Sequence, residues 1–344
     1  MEVILGAVHK AFAVHEPSQV GEVRRAAAML ANDLAFDEVA AGRVALVATE
    51  LGTNLVKHAR QGRLLLAALH GDNGSPSIEL LSIDEGPGIA DVQAALADGM
   101  STVGTPGTGL GAVRRLSQVF DLYSCTAGTV ILARVMVKGS AVPAPARAGA
   151  AFSIGAVALP APGETACGDS WCAVQDGQQL ALLVADGLGH GPQAAAASAE
   201  AVASFERSPF ELPSLLIERM HARMRSTRGA AVAVARTDSA SQQLQYCGAG
   251  NIIGRLISGV SDRTLVSQHG TAGVAIRRMQ DQQYAWPDHT MLVMHSDGLA
   301  SRWTLEDEPQ LLRHHPSVIA ARLLAAHARG RDDATVVVVK RPGT

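Results

Sequence analysis

Aromatic side chains are scarce in this chain of 344 residues, since Phe, Trp and Tyr together make up 3%. With so few large rings, Ala, Val and Leu must fill most of the interior. A surplus of one charge is also lacking, because 29 Lys and Arg face 32 Asp and Glu and leave a net charge of −3. This balance excludes the strong positive field that attracts nucleic acid or an anionic membrane, so we expect neither as a partner.

Cysteine and long apolar runs are the other two shortages. The chain has 4 cysteines, with no CxxC pair and no histidine at zinc-site spacing, which argues against a disulfide framework and against a zinc site. No apolar run reaches the roughly 18 residues of a membrane span. The N-terminal stretch MEVILGAVHKAFAVHEP also lacks the basic segment and cleavage pattern of a leader. These absences predict buried free thiols and a cytoplasmic protein.

The length and one break in composition predict two domains. At roughly 100–200 residues per domain, a chain of this length favours two. Between residues 138 and 150, the sequence KGSAVPAPARAGA replaces the apolar periodicity with Pro, Ala and Gly, as an extended linker does. We therefore expect a first domain over 1–137, a linker over 138–150 and a second domain over 151–344.

The first domain is predicted to be α+β, with helices before the sheet. Apolar residues recur at three- and four-residue steps from Val20 to Leu34, and a second helix is predicted over about 37–59. Apolar runs then predict strands over 64–69, 78–83 and 129–137.

The second domain is richer in short strands, and the same criteria predict three helices there. Strands are predicted over 152–159, 180–185, 231–236, 244–247, 252–257, 291–295 and 335–340. Helices are predicted over 193–207, 213–225 and 316–328. Many strands with a few long helices predict a layered sheet sandwich with helices outside.

Three motifs of the first domain, taken in order, predict a nucleotide site. Glu50 and Asn54 are one turn apart on the second helix and can face one cavity. From Asp84, the stretch DEGPGI ends a strand with an acid and a turn with two glycines, and GTPGTGLG over 104–111 opens onto a helix. Glycines let backbone N–H groups approach phosphate oxygens, and a helix N-terminus adds favourable partial charge. Neither a P-loop nor a dinucleotide fingerprint is present.

Through ATELGTNLVKHA, DEGPGI and DGMSTVGTPGTGLGAVRRL, residues 1–137 resemble the GHKL (Bergerat) ATP-binding α/β sandwich, and within it the partner-switching serine kinases of the stressosome (RsbT) type. The resemblance implies that Asn54 ligates Mg²⁺ beside ATP, and that Asp84 accepts from the adenine amino group. It implies that Glu50 acts as general base or orients the acceptor hydroxyl. The lid over the phosphates would contain Gly107, Gly109 and Gly111. The further nucleotide contacts would be Gly86, Gly88, Leu110 and Thr129.

Carboxylates at strand ends predict a second site, in the second domain. Asp169 follows a turn-rich stretch, Asp186 ends the strand LALLVA, and Asp297 ends MLVMHS. Two more, Asp332 and Asp333, precede TVVVV. Carboxylates that converge repel one another unless cations neutralise them, and oxygen ligands favour Mg²⁺ or Mn²⁺ over zinc. Two such ions can activate a water for in-line attack, so the pattern predicts phosphoester hydrolysis without a covalent enzyme intermediate.

Through ACGDSW, VADGLGHG, CGAGN, HSDGL and RDDATVVVV, residues 151–340 resemble the PPM-type metal-dependent serine/threonine phosphatases in their SpoIIE form, of the stressosome feedback (RsbX) type. The resemblance implies a PPM-type αββα sandwich that holds two Mn²⁺ or Mg²⁺ ions. It implies that Asp186 is the catalytic bridge between them, within a ligand set of Asp169, Asp186, Gly187 through its carbonyl, Asp297, and Asp332 or Asp333.

Two questions about this second site stay open in the sequence. His190, in the loop after Asp186, is either a general acid for the leaving serine oxygen or a structural residue beside the metal loop. The arginine that binds phosphate in eukaryotic members has no counterpart near the start of the domain. The residue that binds phosphate is therefore unassigned.

Together, the two resemblances imply a bifunctional regulator of bacterial stress signalling. The first domain would phosphorylate Ser or Thr of STAS-domain proteins from ATP, and the second would remove the phosphate, with a downstream effector as a further candidate partner. Two domains on one chain raise their effective concentration around a shared substrate. The alternative is a phosphatase whose first domain only binds ATP and partner proteins, as a regulatory or anti-sigma-like module.

Overall fold

The computed structural model describes residues 1–70, 75–96, 109–137 and 152–341. It divides into two compact units. The N-terminal unit comprises residues 9–143, and the C-terminal unit comprises residues 1–8 together with 144–344. The predicted linker and the lid residue Gly107 lie outside the described residues.

The N-terminal unit is an antiparallel sheet with helices packed on one face. The chain starts with β1 (Glu2–Leu5), which belongs to the C-terminal unit. The N-terminal unit then contains β2 (Lys10–Ala13), α1 (Pro17–Asp33), α2 (Glu38–His58), β3 (Arg63–His70), β4 (Pro76–Asp84), α3 (Val92–Leu96), α4 (Leu110–Leu116), β5 (Val119–Cys125) and β6 (Gly128–Met136). The sheet has the order β2-β3-β4-β6-β5, and its pairs are antiparallel.

The two long helices begin where the sequence supplies caps. Asp37 accepts from the Ala40 N–H at 2.8 Å at the start of α2, and the Glu16 N–H donates to Gln19 Oε1 at 3.1 Å at the start of α1. By length and composition alone, α2 is the one described helix that could cross a membrane. Its apolar face instead lies in the core of the unit, through Ala40, Val44, Val47, Ala48, Leu51 and Leu55.

The C-terminal unit consists of two packed sheets with helices outside. Its further elements are β7 (Ser153–Leu159), β8 (Asp169–Asp176), β9 (Gln179–Gly187), α5 (Pro192–Phe205), α6 (Pro213–Arg223), β10 (Ala230–Asp238), β11 (Gln243–Ala249), β12 (Ile253–Ile257), β13 (Asp262–Leu265), β14 (Gly270–Thr271), β15 (Ala275–Ile276), β16 (Gln282–Ala285), β17 (Met291–His295), α7 (Pro316–His327) and β18 (Ala334–Lys340). One sheet has the order β1-β8-β9-β10-β11-β16, and the other has the order β13-β12-β17-β18-β7.

The layers of this unit follow from where its apolar side chains lie. One core lies between the two sheets and includes Leu182, Tyr246 and Trp286. A second core joins the first sheet to α5 and α6 through small residues such as Ala197 and Ala201. Helix α7 packs against β7 and β18 on the other side. The order helix, sheet, sheet, helix confirms the predicted αββα sandwich, and the chain as a whole is α+β.

The first strand corrects the predicted domain assignment. The sequence places residues 1–137 in one domain, whereas β1 pairs antiparallel with β8, with Glu2 opposite Gln175 and Leu5 opposite Cys172. The Gly6 N–H extends the pairing by donating to the Trp171 carbonyl at 2.8 Å. The N-terminal unit is therefore inserted between β1 and the rest of the C-terminal unit.

Candidate functional site

The nucleotide motif of the N-terminal unit begins at the end of β4. Asp84 lies opposite Thr129 of β6, and its Oδ1 accepts from the Gly86 N–H at 2.6 Å. Burial raises the pKa of Asp84, against the lowering effect of the Gly86 and Thr129 N–H groups. The Thr129 hydroxyl is itself buried and hydrogen-bonds with Ser124 Oγ at 3.0 Å. Asp84 is thus a half-buried acceptor in a fixed orientation.

The turn after Asp84 requires its second glycine. Gly88 has φ +80°, and a Cβ there would stand 2.3 Å from the Cys125 carbonyl oxygen. The Glu85 N–H donates to the Arg60 carbonyl at 2.9 Å, and a Cβ on Gly86 would stand 3.3 Å from the His58 carbonyl. The turn therefore lies beside the C-terminal end of α2, the helix that carries Glu50 and Asn54.

Glu50 and Asn54 both have polar groups whose surroundings suit a bound ligand. Burial raises the pKa of Glu50, and the charge of Lys57 opposes that rise. The Asn54 amide nitrogen is buried and has no hydrogen-bond partner among the described residues. An N–H₂ group in this position fits an acceptor atom of a bound ligand. The two ends of a carboxamide are assigned from their hydrogen bonds, and with the ends exchanged the oxygen at this position fits a cation.

The glycine-rich segment is only partly described. Gly109 is the N-cap of α4, and Gly111 is buried in its first turn. The Leu110 side chain packs in the core of the unit, so any nucleotide contact by Leu110 must use its backbone. The first N–H groups of a helix have no partner within the helix and can bind phosphate oxygens. Gly107 lies outside the described residues.

The acidic motifs of the C-terminal unit meet across its two sheets. Asp169 of β8 lies directly opposite Asp186 of β9, and the Gly187 N–H donates to the Gly168 carbonyl at 3.1 Å. Asp297 comes two residues after the end of β17, which is a strand of the second sheet. Gly187 has no room for a side chain, because a Cβ would stand 2.1 Å from the Ala194 carbonyl of α5.

Ser296 joins the two sheets at this point. Its hydroxyl donates to Asp169 Oδ2 at 2.6 Å and accepts from the Thr335 N–H at 3.0 Å. The other carboxylate oxygen of Asp169, Oδ1, is buried without a hydrogen-bond partner in the described part of the chain. On the opposite side, Asn251 Nδ2 donates to Asp297 Oδ2 at 2.7 Å.

The carboxylates act strongly on one another. Burial raises the pKa of Asp169 to about 7, and the charges of Asp333 and Asp297 add to the rise, against the hydrogen bond from Ser296. Burial raises the pKa of Asp186 to about 9, and the charges of Asp169, Asp297, Asp332 and Asp333 add to it, in that order. Every predicted acidic ligand therefore contributes to the field at Asp186.

A divalent cation fits this cluster by its chemistry. The orphaned Asp169 Oδ1 is a buried acceptor, the donors are carboxylate oxygens, and their mutual repulsion is what a bound cation relieves. No group of three or more His, Cys, Asp or Glu side chains in the described ranges is arranged so that it could hold a metal ion. The fit thus rests on the donor type and on charge.

Asp332 and Asp333 differ in what they contact. Asp333 is buried, and its Oδ1 accepts from the Ala161 N–H at 2.8 Å. Asp332 is exposed, and its Oδ1 accepts from the adjacent Asp333 N–H at 2.9 Å. Asp333 is therefore tied to the loop that precedes Asp169, and Asp332 faces solvent.

His190 has an acidic partner that its spacing in the sequence does not reveal. Its Nδ1 and Glu164 Oε1 are 2.7 Å apart, and the His190 side chain is 60% exposed. Sequence reasoning also missed the contacts of Ser296 and Asn251, although both stand in quoted motifs, because a motif does not say which residue it meets across a fold.

Comparison with known families follows the same division into two units. Residues 13–135 match the family described as Histidine kinase-like ATPase domain. Residues 176–342 match the family described as Stage II sporulation protein E (SpoIIE). The second match spans Asp186, Asp297 and both aspartates before β18.

Two relatives from Bacillus subtilis (strain 168) are similar to parts of the chain. Serine/threonine-protein kinase RsbT is 34% identical over 95 residues, which are 28% of this chain and 71% of the kinase. Phosphoserine phosphatase RsbX is 34% identical over 90 residues, which are 26% of this chain and 45% of the phosphatase. The chain thus aligns with less than half the length of the second relative.

A solved structure is similar over about half of the chain. It comes from work on the bacterial stressosome as a modular system adapted to control secondary messenger signalling, and it has a TM-score of 0.51 at 27% identity. The similarity covers 55% of this chain and 99% of the solved chain.

Proposed function

The chain belongs to the histidine kinase-like ATPase family in residues 13–135 and to the SpoIIE family in residues 176–342, and we propose from this premise that it is a bifunctional partner-switching regulator. Its C-terminal unit hydrolyses phosphoserine or phosphothreonine on STAS-domain proteins of a bacterial stress pathway. Its N-terminal unit phosphorylates the same proteins from Mg-ATP. The similarity to both a kinase and a phosphatase of one organism supports the pairing, and we place the reaction in the cytoplasm.

The acidic cluster across the two sheets is the observation that carries the phosphatase. Asp169, Asp186, the Gly187 carbonyl and Asp297 would hold two Mn²⁺ or Mg²⁺ ions, with Asp332 as the further acidic ligand. Such ions, when bound, supply activation of water and neutralisation of phosphoryl oxygens. Ser296 fixes the orientation of the Asp169 carboxylate, and Asn251 does the same for Asp297. Water attacks phosphorus, the P–O bond to serine breaks, and the serine oxygen leaves with a proton.

The N-terminal unit would carry out the opposing reaction, transfer of a phosphoryl group from ATP to serine or threonine. Asp84 would accept a hydrogen bond from the adenine amino group, and Asn54 would hold Mg²⁺ beside the phosphates. Glu50 would take the proton of the acceptor hydroxyl as its oxygen attacks the γ-phosphorus and ADP leaves. The raised pKa of Glu50, caused by burial, suits a residue that gains a proton in the reaction.

Transfer of labelled γ-phosphate from Mg-ATP to the STAS-domain protein encoded nearest this gene tests both activities. We compare the intact chain with Asp186→Asn, Asn54→Ala and the double variant. Label is expected to accumulate with Asp186→Asn and to be absent from the double variant. Asn32→Ala, an exposed asparagine on α1, is the matched control and should leave transfer unchanged in the Asp186→Asn background.

The outcomes separate the two units. If no variant transfers label while the intact chain still dephosphorylates the phosphorylated protein, the N-terminal unit is a nucleotide-dependent binding module and the kinase proposal is wrong. If the intact chain with Mn²⁺ hydrolyses no phosphoprotein, the phosphatase proposal is wrong.

A further inference from the structure

Arg228 lies at the same end of the first sheet as the acidic cluster. In the pairing of β10 with β9, Ala231 is opposite Asp186 and Ala230 is opposite Gly187. Arg228 comes two residues before Ala230, so it stands just beyond the cluster in the turn that enters β10.

This turn is held against the loop that follows Asp186. The Leu188 N–H donates to the Gly229 carbonyl at 3.0 Å. Thr227 Oγ1 accepts from the Gly229 N–H at 3.1 Å and donates to the Met224 carbonyl at 2.7 Å. Hydrogen bonds of Thr227 and Gly229, the residues on either side, therefore hold the backbone of Arg228 in place.

The guanidinium of Arg228 reaches over the loop after Asp186. Its Nη1 stands 3.2 Å from the place that a Cβ on Gly189 would occupy. The Gly189 carbonyl lies 3.4 Å from the corresponding place on Gly168, the residue before Asp169. The loops of both opposed aspartates thus meet at Gly189, and Arg228 lies on that junction.

Arg228 is exposed and has no hydrogen bond or ion pair with any residue that the structure describes. Three acidic groups of the site have partners other than Arg228, since Glu164 pairs with His190, Asp169 with Ser296 and Asp297 with Asn251. An exposed arginine whose guanidinium lies over the loop after Asp186, and that pairs with no described residue, has all five N–H donors available to a ligand.

We propose that Arg228 binds the phosphate group of the phosphoprotein substrate, and of the inorganic phosphate released from it, at the C-terminal site. The inference rests on the phosphatase function proposed above. A phosphate dianion that approaches this cluster is repelled by its carboxylates, and a guanidinium at the rim offsets that repulsion. The planar fork of arginine binds two phosphoryl oxygens at once, which a lysine does not do.

The test uses the full chain in the presence of Mn²⁺, with inorganic phosphate and p-nitrophenyl phosphate as probes. Calorimetric titration with phosphate gives its affinity without turnover, and hydrolysis of the ester gives KM and kcat. For Arg228→Gln we expect phosphate affinity to fall by about 10- to 100-fold, as loss of a charge-assisted hydrogen bond implies. KM should rise by a similar factor, and Arg228→Lys should recover part of the loss.

Arg225→Gln removes an arginine three residues away that is also exposed, and this variant should bind phosphate as the intact chain does. Affinity for Mn²⁺ should be the same in all variants, and equal thermal unfolding shows that each folds. The inference would be overturned if Arg228→Gln bound phosphate as tightly as the intact chain. It would also be overturned if Arg225→Gln lost the same phosphate affinity. If the intact chain hydrolyses neither this ester nor the phosphoprotein, the phosphatase proposal is wrong. Phosphate binding that is then lost in Arg228→Gln and kept in Arg225→Gln would still support the phosphate site.

Discussion

At the scale of single residues, the two aspartates before β18 are expected to have separable roles. The Asp332 carboxylate is exposed and adds to the field at Asp186, whereas Asp333 is buried and accepts from the Ala161 N–H. We predict that Asp332→Ala raises the Mn²⁺ concentration needed for half-saturation and leaves the unfolding of the metal-free chain unchanged. Titration with Mn²⁺ and urea unfolding in EDTA measure the two effects.

Asp333→Ala should destabilise the metal-free chain and leave the Mn²⁺ concentration needed for half-saturation unchanged. It leaves the buried Ala161 N–H unpaired, which costs about 1–3 kcal/mol in the free energy of unfolding. Asp333→Asn keeps an acceptor oxygen and should recover most of that loss, so it serves as the matched control. A large loss of Mn²⁺ affinity in Asp333→Asn, with none in Asp332→Ala, would reverse the two assignments.

At the scale of elements, β1 is predicted to stabilise the C-terminal unit, although it precedes the N-terminal unit in the chain. A Cβ on Gly6 would stand 2.6 Å from the Trp171 carbonyl, so Gly6→Val should lift β1 from β8. We expect a loss of about 1–3 kcal/mol in the unfolding of the C-terminal unit, seen as faster hydrogen exchange in β8, with no change in the N-terminal unit.

Gly259→Val is the matched control for this change, because a Cβ on Gly259 would meet no other atom within 4 Å. It should leave exchange in β8 as it is in the intact chain. Exchange that speeds up in the N-terminal sheet, and not in β8, after Gly6→Val would contradict the assignment of β1.

Some elements of the fold can be predicted from the sequence, and β1 with its partner cannot. Helix α2 and strand β9 were predicted because many apolar residues repeat with a clear period and both have recognisable ends. The four residues of β1 are too few to show such a period, and the sequence of a strand does not say with which other strand it pairs. The unit to which β1 belongs therefore could not be read from its sequence.

Site residues divide in the same way. Asp186 was found because it ends a long apolar strand, but its pairing with Asp169 depends on register across β8 and β9. Arg228 stands in no motif that points to phosphate, and the arginine that binds phosphate in eukaryotic members lies elsewhere, near the start of the domain. The place of Arg228 over Gly189 depends on hydrogen bonds between two loops that are far apart in the chain.

At the scale of the whole molecule, a net charge of −3 conceals an uneven distribution. The carboxylates of the C-terminal site are concentrated, and burial holds the pKa of Asp169 at about 7 and of Asp186 at about 9, against 3.8 as the ordinary value. Between about pH 4 and pH 9 the folded metal-free chain therefore keeps protons that the unfolded chain has released. The contribution of these two groups to stability is present below about pH 4 and falls as the pH rises through 7 and 9.

This distribution predicts opposite responses to pH with and without a divalent cation. In EDTA, the Tm of the C-terminal unit should fall between pH 6 and pH 9, because ionising the buried carboxylates opposes folding. With Mn²⁺ the carboxylates must be ionised to bind, so the gain in Tm over EDTA should grow across the same range. Asp186→Asn removes one titrating group and should flatten the fall in EDTA, whereas Asp307→Asn, an exposed aspartate of the same unit, should leave it unchanged. A Tm in EDTA that rises with pH, equally in both variants, would show that the cluster does not control the pH response of the molecule.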